Sequence, residues 1–242
     1  MKKQDQLYAS PLEKIIDFRF DERVVDVFAD MIQRSVPGYS TLISTIGVLA
    51  GQYAQPASLC YDLGCSLGAV SLSMRHRITQ PDCHIIAVDN SLAMIEKGRQ
   101  LLAADSATVP VSLICANIQD IRVQHASVVV LNFTLQFIDP KQRLSLIQRI
   151  YEGLKPGGIL VLSEKIAFRD KRQQAIHTAI HHHFKRSNGY SDLEISQKRT
   201  ALEHVLIPET EDEHYQRLRQ AGFGFIDTWF QCFNFLSMMA IK

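Results

Sequence analysis

The sequence predicts an α/β fold: a doubly wound, mostly parallel sheet with N-terminal helices and a helical lid insertion. Three observations predict it. Five short runs are apolar on both faces, SLCYDL (58–63), HIIAVD (84–89), VSLICA (111–116), SVVVLN (127–132) and GILVLS (158–163), as strands buried between two helical layers must be. Stretches long enough for a crossover helix separate them. A glycine-bearing turn, Asp62-Leu63-Gly64-Cys65-Ser66-Leu67-Gly68, directly follows the first run, which is where such folds bind nucleotides.

The elements follow in chain order. The first fifty-odd residues read as helices, forming an N-terminal helical extension (1–55). Val24, Phe28 and Met31 recur at helical spacing behind the N-cap candidate Asp21, and Pro37-Gly38 breaks the pattern before a second apolar segment at 39–49. From 56 to 242 the chain reads as the nucleotide-binding domain. Asn90-Ser91 caps a helix containing Met94 and Ile95. Asp139-Pro140 starts another, carrying Ile147, Ile150, Tyr151 and Leu154, which ends at Lys155-Pro156-Gly157-Gly158. About sixty residues then separate Ser163 from Phe223, far more than one crossover needs. The insertion, about 166–221, holds two capping boxes, at Ser191/Glu194 and Thr210/Glu213, so helices are expected at 170–187, 192–206 and 211–221, forming a lid over the strand ends. Two strands, 225–229 and 233–241, close the chain, the last placed antiparallel at the sheet edge.

Composition narrows the function. Of 242 residues 46% are hydrophobic and 21% charged, with 26 Lys+Arg against 25 Asp+Glu, the profile of an ordinary folded domain whose near-zero charge supplies no grip on nucleic acid. Five cysteines, with no C-x-x-C pair, indicate reduced thiols rather than disulfides or structural zinc. No signal-like or membrane-spanning apolar stretch occurs, so a cytoplasmic protein with a small-molecule partner is expected.

The candidate site gathers at the strand ends. The turn at 64–68 opens a helix near Val70 and exposes backbone N–H groups to a ligand, although the glycines do not form the dinucleotide pattern G-x-G-x-x-G. Asp89 ends the second strand 25 residues after Gly64, near the offset at which an acid accepts the ribose hydroxyls of an adenosine. Asn117 can bond an adenine amino group beside Ile118, and Asn132 can hold an amino acid end. His177, His181, His182 and His183 lack a partner acid or cysteine at metal-ligand spacing, so they read as solvated or ligand-lining, with no metal. Trp229, Phe230, Phe233 and Phe235 read as core or interface. Lys185-Arg186 and Lys198-Arg199 are too few for a nucleic-acid groove but can face a dicarboxylate.

This arrangement resembles the class I S-adenosylmethionine-dependent methyltransferases, with Ser66 where their first motif usually has glycine and no Asn-Pro-Pro-Tyr at the fourth strand. Longer stretches, DERVVDVFADMIQRSVPGY (21–39), YDLGCSLGA (61–69), VVLNFTLQF (129–137), LVLSEK (160–165), FKRSNGYSDLEISQKR (184–199) and WFQCFNF (229–235), are similar to the carboxy-S-adenosyl-L-methionine synthases over nearly the whole chain. The resemblance implies conversion of S-adenosyl-L-methionine and prephenate to carboxy-S-adenosyl-L-methionine and phenylpyruvate. The product is the carboxymethyl donor that a separate enzyme uses on the wobble uridine of tRNA. It also implies a homodimer without direct RNA contact, and site residues position by position. Tyr39 walls the sulfonium, Gly64, Cys65 and Ser66 line the methionine end, and Asp89 and Asn90 take the ribose and adenosine. Asn117 and Ile118 take the adenine, Asn132 the amino acid portion, and Arg199 the carboxylate. Asn117 stands where the family usually carries aspartate. A conventional small-molecule methyltransferase is the alternative reading, and a catalytically silent nucleotide-binding protein a third.

Overall fold

The period of two that makes each strand apolar on both faces divides the core in two. In the computed structural model, which describes residues 4–242, Cys60, Val128, Val130, Ile159 and Val161 point to one side and pack on Leu42, Ile46 and Ala50. Tyr61, Leu63, Val129, Leu131, Leu160 and Leu162 point to the other and pack on Leu146, Ile147, Ile150 and Leu218. The sheet comprises β1 (Leu59–Leu63), β2 (His84–Asp89), β3 (Val111–Cys115), β4 (Ala126–Asn132), β5 (Leu154–Lys165), β6 (Phe225–Cys232) and β7 (Phe235–Ile241), in the order β3-β2-β1-β4-β5-β7-β6. The first five are parallel and β7 runs antiparallel to both β5 and β6. The edge expectation is therefore corrected: β7 lies one strand in, where four of its seven residues are buried consecutively, and the more exposed β6 forms the edge.

Of helices α1 (Glu22–Ser35), α2 (Tyr39–Tyr53), α3 (Ala69–Arg75), α4 (Leu92–Ala103) and α5 (Pro140–Gly153), α1, α4 and α5 start where their caps predict. Asp21, Ser91 and Asp139 each accept backbone N–H groups at the first turn, satisfying donors that have no partner within the helix. The insertion holds α6 (Lys171–Ser187), α7 (Asp192–Leu202) and α8 (Glu211–Ala221), the last two opened by complete capping boxes. Helix α7 ends four residues earlier than expected. The Lys155-Pro156-Gly157-Gly158 break lies inside β5 as a register shift between its pairing with Ala126 and with Val128, a bulge rather than a loop.

Residues 4–20 form no helix. They run as an irregular strap along α7: Gln197 accepts from the Leu12 N–H at 2.8 Å and donates to the carbonyls of Tyr8 and Ser10, while the Phe18 N–H donates to the Ala201 carbonyl at 2.9 Å. The Gln197 side-chain amide and the Ala201 carbonyl of α7 thus answer backbone groups that a helix would have paired internally.

Candidate active site

Parallel strands end on the same side of the sheet, and β1, β2, β4 and β5 deliver Asp62, Asp89, Asn132 and Lys165 to one cavity of about 440 Å³, within the size range of small-ligand pockets. Helices α6 and α7 roof it with His181, His182, Lys185, Lys198 and Arg199, and α2 adds Tyr39. Of the residues singled out from sequence, Tyr39, Gly64, Cys65, Ser66, Asp89, Asn90, Ile118, Asn132 and Arg199 line this cavity. Asn117 does not: it is exposed, accepting from Asn90 Nδ2 at 3.3 Å and donating to Asp120 at 3.2 Å. It braces Asn90 from outside.

The β1–α3 turn owes its shape to backbone conformation. Gly64 has φ +84° and Gly68 φ +83°, accessible to glycine at no cost. A Cβ at Gly64 would also collide with the Thr134 side chain. Gly64→Ala is accordingly expected to cost about 1–3 kcal/mol in stability and to displace the β4 loop that carries Asn132, a change readable by denaturant titration alongside ligand affinity. Ser66, in a glycine's customary place, adopts the left-handed conformation regardless, at φ +48°. Its N–H donates to Asp89 Oδ2 at 2.9 Å, and Asp89 Oδ1 accepts from the Ser91 N–H at 2.9 Å. Asp89 therefore clamps two loops and still keeps lone pairs for hydroxyl donors. Phe133, at φ +57° after β4, is a second strained residue on the cavity wall.

Asp62 has the sharpest electrostatics. It is buried; its Oδ2 accepts from the Ser71 N–H at 3.0 Å and hydroxyl at 2.6 Å, while its Oδ1 has no partner. Burial, against those hydrogen bonds, pushes its carboxyl up to about 7. Asn132 Oδ1 is likewise buried and unpartnered. Two bare acceptors thus share one cavity, complementary to a donor-rich cationic group. Burial also raises Asp89 and holds the Tyr39 hydroxyl far above its ordinary value, with Asp62 adding to the latter.

The histidines divide by environment. His181 meets the Ser35 carbonyl at 2.8 Å, and burial together with Lys165 pushes it down to about 3, so it is neutral. His177 stacks on Phe168, their ring centroids 4.3 Å apart. Among the described residues no cluster of three His, Cys, Asp or Glu is arranged to hold a metal.

Sequence reasoning gave no role to Asp62, Phe20, Phe133, Gln136 or Lys165, all on the cavity wall. Asp62 and Lys165 carried a readable signal, since both lie at the C-terminal end of a strand, where such folds bind ligands. Phe20, stacked edge-on against Phe137 at 5.4 Å, carried none.

The methyltransferase-domain family matches residues 61–158. Among solved structures, human N-acetylserotonin methyltransferase in complex with its S-adenosylmethionine ligand superposes with a TM-score of 0.62 at 18% identity, over 91% of this chain and 55% of that one. An O-methyltransferase family protein from Burkholderia thailandensis gives 0.65 at 18%, over 92% and 60%. Both show the fold. The curated relatives are far nearer: carboxy-S-adenosyl-L-methionine synthases from Citrifermentans bemidjiense, 68% identical over 100% of this chain and 99% of that protein, and from Aeromonas salmonicida, 58% identical over 100% and 98%. Identity of that order over the full length of both chains means that the chain belongs to the carboxy-S-adenosyl-L-methionine synthase family.

Proposed function

We propose that this protein converts S-adenosylmethionine and prephenate to carboxy-S-adenosylmethionine, phenylpyruvate and water, supplying the carboxymethyl donor for tRNA wobble uridine modification. The observation that carries this reading is Arg199. It reaches from α7 into the cavity that holds the bare oxygens of Asp62 and Asn132, and it forms no ion pair among the described residues. Methyl transfer from a sulfonium needs no such cation, whereas a product bearing a new carboxylate does.

The reaction balances without a further reactant. The ring C–C bond to the carboxylate of prephenate breaks, its electron pair aromatises the ring, and hydroxide departs. The hydroxide takes a proton from the sulfonium methyl, giving water, and the resulting ylide carbon bonds to the released carbon dioxide. Asp62 and Asn132 are suited to the ammonium end of S-adenosylmethionine and Asp89 to its ribose. Tyr39 offers its ring face to the sulfonium. The roof of α6 and α7 keeps out water that would quench the ylide or scavenge the carbon dioxide.

Mass spectrometry after incubation with S-adenosylmethionine, with and without prephenate, tests the proposal. A species heavier than S-adenosylmethionine by one CO2, formed only with prephenate, supports it. Formation of S-adenosylhomocysteine, or no change, overturns it in favour of a methyltransferase or a binding protein.

Asp62 adds a pH dependence. Its carboxyl titrates at about 7 in the folded protein, so below that pH it is neutral and must lose a proton before pairing with an ammonium. Affinity for S-adenosylmethionine is expected to rise with pH up to about 7 and then level, falling roughly tenfold per unit below. Asp62→Asn should flatten that limb and weaken binding roughly tenfold at pH 8. Calorimetric titrations of both proteins at several pH values check this; an unchanged profile in the variant would assign the limb to another group.

A further inference from the structure

Most buried cations of this chain are matched. Lys198, almost fully buried, lies 3.6 Å from Asp5 and 3.4 Å from Ser35 Oγ, and fully buried Arg143 has Glu209. Besides Arg199, two cations on the cavity wall are unmatched among the described residues. Lys185 of α6 is 8% exposed, and among the described residues its ammonium meets no carboxylate within ion-pair distance. It reaches only the face of Tyr190, at 5.9 Å, a ring already stacked by Arg34 at 4.0 Å. Lys165 closes β5, and no hydrogen bond or ion pair engages its ammonium among the described residues. Both line the same cavity. Burial pushes Lys185 down to about 7, with Lys198 and Lys165 adding to it, and burial also lowers Lys165. Unpaired ammonium groups in such surroundings are costly, and an anion between them would relieve both.

The surface joining the two lysines is aromatic. Lys165 pairs with Phe235 across the β5–β7 ladder. The Phe235 ring meets Phe133 at 5.9 Å and His181 at 4.9 Å, both edge to face. All three rings line the cavity. Burial holds His181 neutral, so that ring presents an apolar wall rather than a third charge. Two ammonium groups beside an aromatic wall fit a carboxylate attached close to a planar or near-planar ring.

We infer that Lys165 and Lys185, with Phe133 and Phe235, form the subsite for the carboxylate that the second substrate keeps, an arylpyruvate-type side chain, while Arg199 serves the new carboxylate of the product. The assignment rests on the proposed reaction. It follows from differential binding: ammonium groups fixed on the carboxylate to be lost would stabilise the reactant and slow its departure. On the retained carboxylate they anchor the ring without opposing the chemistry. Lys165 and Lys185 are thus positioning residues for the second substrate.

The test compares wild type with Lys165→Met, Lys185→Met and Lys185→Arg, using phenylpyruvate and S-adenosylmethionine as calorimetric probes, thermal unfolding, and steady-state kinetics with prephenate. Each methionine variant is expected to bind phenylpyruvate at least roughly tenfold more weakly and to raise the prephenate KM similarly. The affinity for S-adenosylmethionine and the kcat should change little, and Lys185→Arg should recover part of the loss. Unliganded methionine variants should melt higher than wild type, because an unpaired buried charge has been removed; a purely structural lysine would lower the melting temperature. Unchanged phenylpyruvate affinity, or equal loss for both probes, overturns the assignment. Lysine-dependent phenylpyruvate binding in a wild type that forms no carboxylated product leaves the subsite standing and removes the proposed reaction. Normal prephenate kinetics in both methionine variants does the reverse.

Discussion

Arg199→Ala is expected to lower formation of the carboxylated product by roughly tenfold to 100-fold, the cost of deleting one partner of a charge-assisted hydrogen bond. Arg199 sits in the last turn of α7, its side chain exposed yet lining the cavity. Its charge is felt at His182, which it helps to depress, and no carboxylate pairs with it among the described residues. A guanidinium fork engages both oxygens of a carboxylate at once, which an ammonium cannot do, so Arg199→Lys should recover only part of the activity. S-adenosylmethionine carries no carboxylate at the methyl position, so its affinity should hardly change while that of the carboxylated product falls. Parallel binding titrations with both nucleosides, alongside product quantification, decide the matter. Equal losses for both would move Arg199 from the carboxylate to the nucleoside.

Arg143→Met should cost about 3–5 kcal/mol of stability, as expected when one partner of a buried ionic network is removed. Arg143 of α5 has no exposed surface. Its Nε donates to the Ile138 carbonyl at 2.9 Å, and its Nη2 donates to the carbonyls of Gln136 at 3.2 Å and Ile207 at 3.0 Å. Nη1 lies 2.5 Å from Glu209 Oε2 without hydrogen-bond alignment, and Glu209 also pairs with Arg217. One side chain thus ties the loop after β4 to the segment entering α8. That segment is itself joined to the chain just after β5 through the Ala167 N–H on the Glu209 carbonyl at 2.9 Å. Methionine fills the space but leaves the Ile138 and Ile207 carbonyls without this donor and Glu209 with Arg217 alone. Urea melts should show the midpoint lowered with an unchanged slope, and product formation should fall because Gln136, which the network holds, lines the cavity. A loss below about 1 kcal/mol would mean that water replaces the guanidinium.

The candidate site was legible where it is built from strand ends and caps. Gly64, Asp89 and Asn132 could be placed because a parallel sheet delivers every strand terminus to one edge, and Ser191 and Thr210 because a capping box needs only four consecutive residues. Arg199, Tyr39 and the nucleoside contacts came from resemblance, since spacing alone does not tell a solvated arginine from one turned into a cavity. Asn117 shows the converse failure. It stands where a strand-end residue should face the ligand, yet it is exposed and braces Asn90 instead.

By itself the sequence determined which segments become helices and strands, that the sheet is buried on both faces, and that the ligand edge lies after the strands, because these depend on periodicity and on groups a few residues apart. The tertiary structure alone decided the pairing of the last two strands, the irregular path of residues 4–20 and the company of the buried lysines. Those outcomes depend on partners brought together from distant positions, as when Asp5 neutralises Lys198. A lysine in a sequence reads as surface. Only the fold shows that Lys165 and Lys185 line a cavity and, among the described residues, have no carboxylate within ion-pair distance.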